Sequence, residues 1–257
     1  MDELVLSNTH DRVCTITLNR PDARNAMSSE PQRALAIALA EAEADDAVDV
    51  VVLTGADPAF CAGLDLRELG STAANLVGGS DGEHRSPFTV LWTMTKPVIG
   101  AINGAAVTGG FELALGCDFL VASERATFGD THARVGVTPG GGMSMFLPQT
   151  VGLRKAKEMS LTGNFIDAHQ ALAFRLVNHV VPHDELLPTA RRLAADIAGN
   201  DQEAVRNLKH LYDRGSKISV GEAIALEQER FRNFRVDPSE IERRRAAIVE
   251  RGRGQTK

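Results

Sequence analysis

Twice in this chain a short apolar run breaks on glycine and restarts as a helix: at Phe60-Cys61-Ala62-Gly63-Leu64-Asp65-Leu66 and at Thr108-Gly109-Gly110-Phe111-Glu112. Turns of this kind confine the fold, because glycine joins strand to helix where a side chain has no room and leaves backbone N–H groups free at the helix start. Those groups carry partial positive charge. Glu112 follows Gly109 by three positions, so a helix sets both on one face, roughly 5 to 6 Å apart. If the two turns face each other, the N–H of Leu64 and the N–H of Gly109 converge on one oxygen with a carboxylate beside it. Such a set suits an enolate, in which negative charge grows on a carbonyl oxygen while a proton moves at the adjacent carbon.

The surrounding pattern alternates strand and helix. Cys14, Ile16 and Leu18 alternate with Val13, Thr15 and Thr17, which predicts a strand. Ser29 with Gln32, and Pro31 in the first turn, predicts a capped helix to about Asp45. The nearly continuous β-branched run from Val48 to Leu53 predicts a strand buried on both faces, ending in the turn cluster Thr54-Gly55-Ala56-Asp57-Pro58. Lys96 to Ile102 and Phe119 to Ser123 predict further strands with the Gly109 helix between them, and the alternation implies an α/β architecture. Gly, Ser, Asn and Asp dominate from Gly70 to Arg85, where a mobile surface loop over a site is expected.

The last third reads as helices, over Leu153 to Leu161, Asp167 to Leu176, Leu186 to Ile197, Asp201 to Arg214 and Val220 to Phe234. Val220, Ile224, Phe231 and Phe234 fall on one stripe, which must pack on the main domain or on a second subunit. Arg243-Arg244-Arg245 through Lys257 reads as a basic, solvated tail. The expected division is a core over residues 1–197 and a helical region over 198–257.

Composition excludes several functions. A net charge of -6 argues against a nucleic-acid surface. No apolar run approaches the roughly 20 residues of a membrane span, and Met1-Asp2-Glu3-Leu4 lacks a basic leader, so a cytoplasmic protein is expected. Cys14, Cys61 and Cys117 contain no C-x-x-C pair and read as small core residues. No Gly-Lys pair, strand-borne G-x-G-x-x-G, H-E-x-x-H or glycine-flanked Ser144 supplies a phosphate loop, a nucleotide site, a metal site or a nucleophile elbow. No metal and no cofactor are expected. His10, His84, His169, His179, His183 and His210 are scattered singly and read as surface or turn residues.

The two turns, with their spacing and flanks, resemble the crotonase, or enoyl-CoA hydratase/isomerase, family. The resemblance runs through Thr17-Leu18-Asn19-Arg20-Pro21, Asn25-Ala26-Met27 and Val51-Val52-Leu53-Thr54-Gly55 to Ala59-Phe60-Cys61-Ala62-Gly63-Leu64-Asp65-Leu66. It continues through Lys96-Pro97-Val98-Ile99-Gly100-Ala101-Ile102-Asn103-Gly104, Gly109 to Ala114, Ala126-Thr127-Phe128-Gly129 and Gly136 to Gly142. It implies the ClpP/crotonase-type spiral of β-β-α units with a C-terminal helical trimerisation region, assembled as a homotrimer or homohexamer. It implies an acyl-coenzyme A substrate, so that coenzyme A arrives as part of the substrate. By position, Leu64 and Gly109 match the oxyanion hole. Ala62, Asp65 and Leu66 match the backbone segment that meets the adenine, and Ala23 with Arg24 the loop near the pantetheine and phosphates. Basic residues of a neighbouring subunit's C-terminal helix, here Arg243 to Arg253, are implied to help hold the phosphates.

Glu112 matches the first of the two glutamates that family hydratases use, and His132 stands where the second is expected. Asp130 and Arg134 flank it without replacing it. An imidazole with a pKa near 6.5 can position or deprotonate water at neutral pH, whereas one glutamate alone suits moving a proton between carbons. Hydration of a 2-enoyl-CoA in fatty-acid or related acyl-CoA metabolism is therefore the first expectation. Double-bond isomerisation or other enolate chemistry on Glu112 is the second, and acyl-CoA binding without catalysis the third. The Gly70 to Arg85 loop, Trp92, Met143 and Met145 are expected to set the acyl group accepted.

Overall fold

The structure, a computed structural model, describes residues 3–77 and 86–255. Residues 78–85 of the expected loop, with His84, lie outside the described residues. The chain divides into two compact units, Met1–Arg206 and Asn207–Lys257.

The strands of the first unit are β1 (Val5–His10), β2 (Val13–Leu18), β3 (Val50–Gly55), β4 (Ala59–Cys61), β5 (Val98–Ile102), β6 (Ala105–Val107), β7 (Phe119–Ser123), β8 (Thr127–Gly129), β9 (Ile166–Asp167) and β10 (His179–Val181). Its helices are α1 (Ser29–Ala44), α2 (Leu66–Ser71), α3 (Pro87–Thr93), α4 (Gly109–Gly116), α5 (His132–Val135), α6 (Met143–Val151), α7 (Leu153–Thr162), α8 (Ala168–Ala173) and α9 (Leu186–Ala198), with α10 (Gln202–Gly215) starting in it. The expected boundary at residues 197 and 198 falls in the last turn of α9.

One sheet has the order β1-β2-β3-β5-β7-β10 and a second the order β4-β6-β8-β9. Pairing is parallel from β2 to β10 and from β4 to β8, and antiparallel for β1 with β2 and β9 with β8. Three units follow in succession: β3-β4-α2, β5-β6-α4 and β7-β8-α5. Each sends its first strand to one sheet and its second to the other, then turns into a helix, which is the expected spiral of β-β-α units.

The apolar pattern explains the layers. Every residue of β3 is buried. Val50 and Val52 pack with Ile99, Ala101 and Val121 against Leu186, Ala190 and Ala194 of α9, while Val51 and Leu53 join Phe60, Phe111 and Phe128 in the main core. A strand covered on both sides has no place for alternating polar residues, and α9 supplies its side of the contact at four-residue spacing.

Several local expectations give way to tertiary contacts. The N-cap of α1 is Ser28, without a side-chain cap bond. The Ser29 N–H and hydroxyl both donate to the Glu68 carboxylate, and the Gln32 amide turns to Asn75, so no capping box forms there. Gly70 and Ser71 belong to α2, and Ala74–Val77 forms a 3-10 turn, where loop was expected. Lys96 precedes its strand; its Nζ donates to the Ala42 and Asp45 carbonyls, closing the end of α1. The helix expected over Asp167 to Leu176 is shorter, bounded by a capping box between Asp167 and Gln170. His183 lies in a turn, as expected, and its ring also ties that turn to the core unit, bonding Ser123 Oγ at 3.0 Å and Asp57 Oδ2 at 2.9 Å. Cys14 and Cys61 are buried and Cys117 half-buried, and burial pushes the Cys61 thiol up to about 12.

The second unit holds the rest of α10, α11 (Val220–Asn233) and α12 (Pro238–Gln255). A capping box between Ser219 and Glu222 starts α11. The expected basic tail is mostly this last helix, because Glu240 pairs with Arg243 and Arg244 and Glu242 with Arg245 one turn on. Val220, Ile224 and Phe231 remain exposed in the single chain. Among the described residues no helix is long and apolar enough to cross a membrane.

Candidate active site

The site follows from the second sheet. Because β4, β6 and β8 are parallel neighbours, with Ala106 opposite both Cys61 and Phe128, their carboxyl ends lie side by side. Each end feeds a turn and then a helix: Gly63 to Asp65 into α2, Thr108 into α4, Asp130 and Thr131 into α5. Leu64, Gly109 and His132 thus arrive from three consecutive repeats, and with Glu112 they line one cavity of about 230 Å³. The N–H groups of Leu64 and Gly109 donate to no acceptor among the described residues.

Two backbone features hold these turns together. Gly63 has φ +91°, and a Cβ there would stand 2.7 Å from the Val107 carbonyl and 3.4 Å from the Gly109 nitrogen, so the turns approach as only glycine allows. Thr108, the N-cap of α4, has φ 51° and ψ -111°, a conformation rare for a β-branched residue. Such strain costs of order 1–3 kcal/mol and survives only where neighbours impose it. Here Thr108 N–H donates to the Gly129 carbonyl at 2.9 Å, and Thr108 Oγ1 accepts from the Thr131 N–H at 3.2 Å, linking the Gly109 turn to the residue before His132.

Glu112 is buried one turn into α4. Its Oε1 accepts from the N–H groups of Gly141 at 2.7 Å and Met143 at 3.3 Å, and its Oε2 faces His132 Nε2 at 3.6 Å. On the other side of the ring, Nδ1–H donates to Asp130 Oδ1 at 2.6 Å. Burial alone would lower the His132 pKa, but Asp130 and Glu112 outweigh it and lift the value to about 9. Burial likewise opposes ionisation of Asp130, and its hydrogen bonds from the His132 ring and N–H hold its pKa below the usual value. His132 is therefore an imidazolium between two carboxylates at neutral pH, and not the neutral base expected from an ordinary histidine.

A family model described as enoyl-CoA hydratase/isomerase matches residues 8–255. The chain belongs to that family. It is 37% identical to the short-chain-enoyl-CoA hydratase of Clostridium acetobutylicum over 88% of this chain and 87% of that one. A solved enoyl-CoA hydratase from Mycobacterium tuberculosis H37Rv is 53% identical, with a TM-score of 0.76 over 89% of this chain and 99% of that one. One from Bacillus anthracis is 32% identical, with a TM-score of 0.88 over 96% of both chains.

Within this member of the enoyl-CoA hydratase/isomerase family, the residues matched to coenzyme A divide. The Ala62 N–H donates to the Arg24 carbonyl at 3.0 Å, which brings the Ala23-Arg24 loop against the Gly63 turn. Arg24 and Leu66 are exposed. The Asp65 side chain is committed to the fold: it caps α2 through the N–H groups of Arg67 and Glu68 and pairs with Arg20 at 2.7 Å, and Arg20 holds its carboxyl below the usual range. Trp92, Met143 and Met145 are not among the described residues lining the cavity; Gln32, Asn75, Leu76, Phe88 and Val137 are.

Sequence reasoning gave no role to Asp130 or Gly141. Gly141 is the middle of the run Gly140-Gly141-Gly142, and its part in the site appears only once Glu112 folds against it: a Cβ there would sit 2.7 Å from Glu112 Oε2 and 2.8 Å from Phe88. Gly141→Ala is expected to push the carboxylate off its position and to lower turnover by about 10²-fold, the scale of a 1 Å misplacement. Steady-state kinetics beside a thermal melt check this, since unchanged kcat in a folded variant contradicts it.

Proposed function

We propose that the chain hydrates 2-enoyl-CoA thioesters, as the hydratases of its family are named for doing, in fatty-acid or related acyl-CoA metabolism. The observation that carries this reading is the placement of Glu112 Oε2 3.6 Å from His132 Nε2 in one cavity with Leu64 and Gly109. The thioester oxygen accepts from the two free N–H groups, which stabilise the enolate as it forms. The Glu112 carboxylate takes a proton from water while the water oxygen bonds to the β-carbon. The His132 imidazolium then delivers a proton to the α-carbon. Glu112 now holds a proton that His132 lacks, and transfer across the gap between them restores the starting state. The proposal needs no cofactor besides the coenzyme A of the substrate.

The direct test follows loss of the conjugated thioester absorbance of crotonyl-CoA and longer 2-enoyl-CoAs; no turnover of any of them ends the reading. A second reading, double-bond isomerisation, is favoured by Glu112 being the one carboxylate among the described residues that line the cavity. A 3-enoyl-CoA converted to the conjugated 2-enoyl thioester without uptake of water would establish it instead.

The charge state of His132 predicts the pH profile. Activity that needs the imidazolium is expected to fall as pH rises through about 9. Asp130→Asn removes the stronger partner, and the alkaline limb is expected to move down by at least about one pH unit. A pH–rate profile of both proteins checks it, and an unmoved limb overturns it. The same linkage acts on stability. Folding lifts His132 above 6.5, so its contribution is complete below about pH 6.5 and is lost as pH rises through about 9.

Assembly and location belong to the same proposal. The exposed Val220, Ile224 and Phe231 support a homotrimer or homohexamer; a monomer in sedimentation equilibrium would end that part. The buried thiols of Cys14 and Cys61 support a reducing, cytoplasmic setting, which imaging of a tagged protein decides.

A further inference from the structure

Two buried amides in the cavity wall are satisfied on one side only. Gln32 and Asn75 are 0% and 1% exposed. Gln32 Nε2 donates to the Asn75 carbonyl at 3.0 Å, and Asn75 Nδ2 donates to the carbonyls of Asp65 at 2.9 Å and Met27 at 3.3 Å. Those partners are acceptors, so the NH₂ ends are fixed where they are; a flipped amide would set oxygen against oxygen. The carbonyl ends, Gln32 Oε1 and Asn75 Oδ1, are buried and have no hydrogen-bond partner among the described residues. Both residues line the same cavity as Glu112, His132, Leu64 and Gly109.

A cavity built only for an alkyl chain gains nothing from two orphaned acceptors, since buried polar groups are kept where something completes them. We propose that these two oxygens form a polar subsite for the acyl group, and that the preferred substrate is a 2-enoyl thioester bearing a hydrogen-bond donor, such as a hydroxyl, beyond the reacting double bond. This rests on the reading that the cavity takes the acyl group of a CoA thioester. Binding of a plain alkyl chain leaves both oxygens buried without a donor, and sites of this design discriminate against the analogue that lacks the donor.

The experiment compares unmodified 2-enoyl-CoA with isomers of equal chain length carrying a hydroxyl at successive positions past the double bond. One position is expected to raise kcat/KM by about tenfold or more over the unmodified ester, and Gln32→Met is expected to bring that ratio close to unity. Equal values at every position in the wild type overturn the proposal, as does a ratio unchanged in Gln32→Met. Should that variant not fold, the wild-type ratio decides. Calorimetry of the corresponding saturated thioesters, with and without the hydroxyl, gives the same ratio in affinity. It separates the two readings: if no thioester is hydrated, the proposed reaction fails, while the affinity ratio still tests the subsite. An equal loss of affinity for both esters and for free coenzyme A in Gln32→Met would put the oxygens against the coenzyme A arm and end the acyl assignment.

Discussion

Glu112→Gln is expected to lower kcat on a 2-enoyl-CoA by about 10²–10⁴-fold, the usual contribution of a positioned acid or base, in a protein that still folds. Glutamine keeps the carbonyl oxygen that accepts from Gly141 and Met143, so the loop over α4 stays anchored. Its NH₂ group then faces His132 Nε2, where the carboxylate oxygen stood. The substitution acts twice: the group that takes the proton from water is gone, and the imidazolium loses one of the two anions that keep it charged. The decline should therefore fall on kcat, with affinity for the thioester changed far less, and the alkaline limb should shift to lower pH. Spectrophotometric assay of both proteins, with a thermal melt as control, measures this. A kcat within a few-fold of wild type would mean that Glu112 does not carry the proton.

Gly110→Ala is expected to cost about 3 kcal/mol, the upper part of the range for overpacking, and with it the approach of the Leu64 and Gly109 turns. A Cβ at Gly110 would stand 2.1 Å from the Cys61 carbonyl oxygen and 2.7 Å from Cys61 Cβ. The obstacle is backbone of β4, which cannot rotate aside, so α4 would have to lift from the second sheet and carry the Gly109 N–H away from that of Leu64. Gly109→Ala is the control. Its Cβ would press on the terminal methyl of Met27 at 3.2 Å, which a flexible side chain accommodates, and would meet Gly63 Cα and Phe88 Cζ at an ordinary 3.8 Å. Chemical denaturation should show a loss below about 1 kcal/mol there, against the larger loss at Gly110. Equal midpoints for the two variants would refute the packing argument.

Much of this was legible in the residues because it is local. β2, β3 and β7 appear as runs of β-branched or alternating residues, and α4, α9 and α11 as apolar stripes or capped segments, since periodicity depends only on neighbours along the chain. The turn glycines announce free N–H groups for the same reason. Expectations failed where a distant group intervened: Glu68 took the place of the α1 cap, and Asp130 with Glu112 displaced the ordinary imidazole expected at His132.

Residue order was enough to specify the strand-turn-helix repeat, the two glycine turns and the carboxylate one turn past Gly109. Those are properties of dihedral preference and side-chain spacing within a few residues. The chemistry depended on packing. Only the parallel alignment of β4, β6 and β8 sets three turns from separate repeats around one cavity. Only the placement of Asp130 and Glu112 on either side of its ring, acting against the effect of burial, favours the charged form of His132 over an ordinary imidazole. Fields and desolvation act through space, so no reading along the chain reports them.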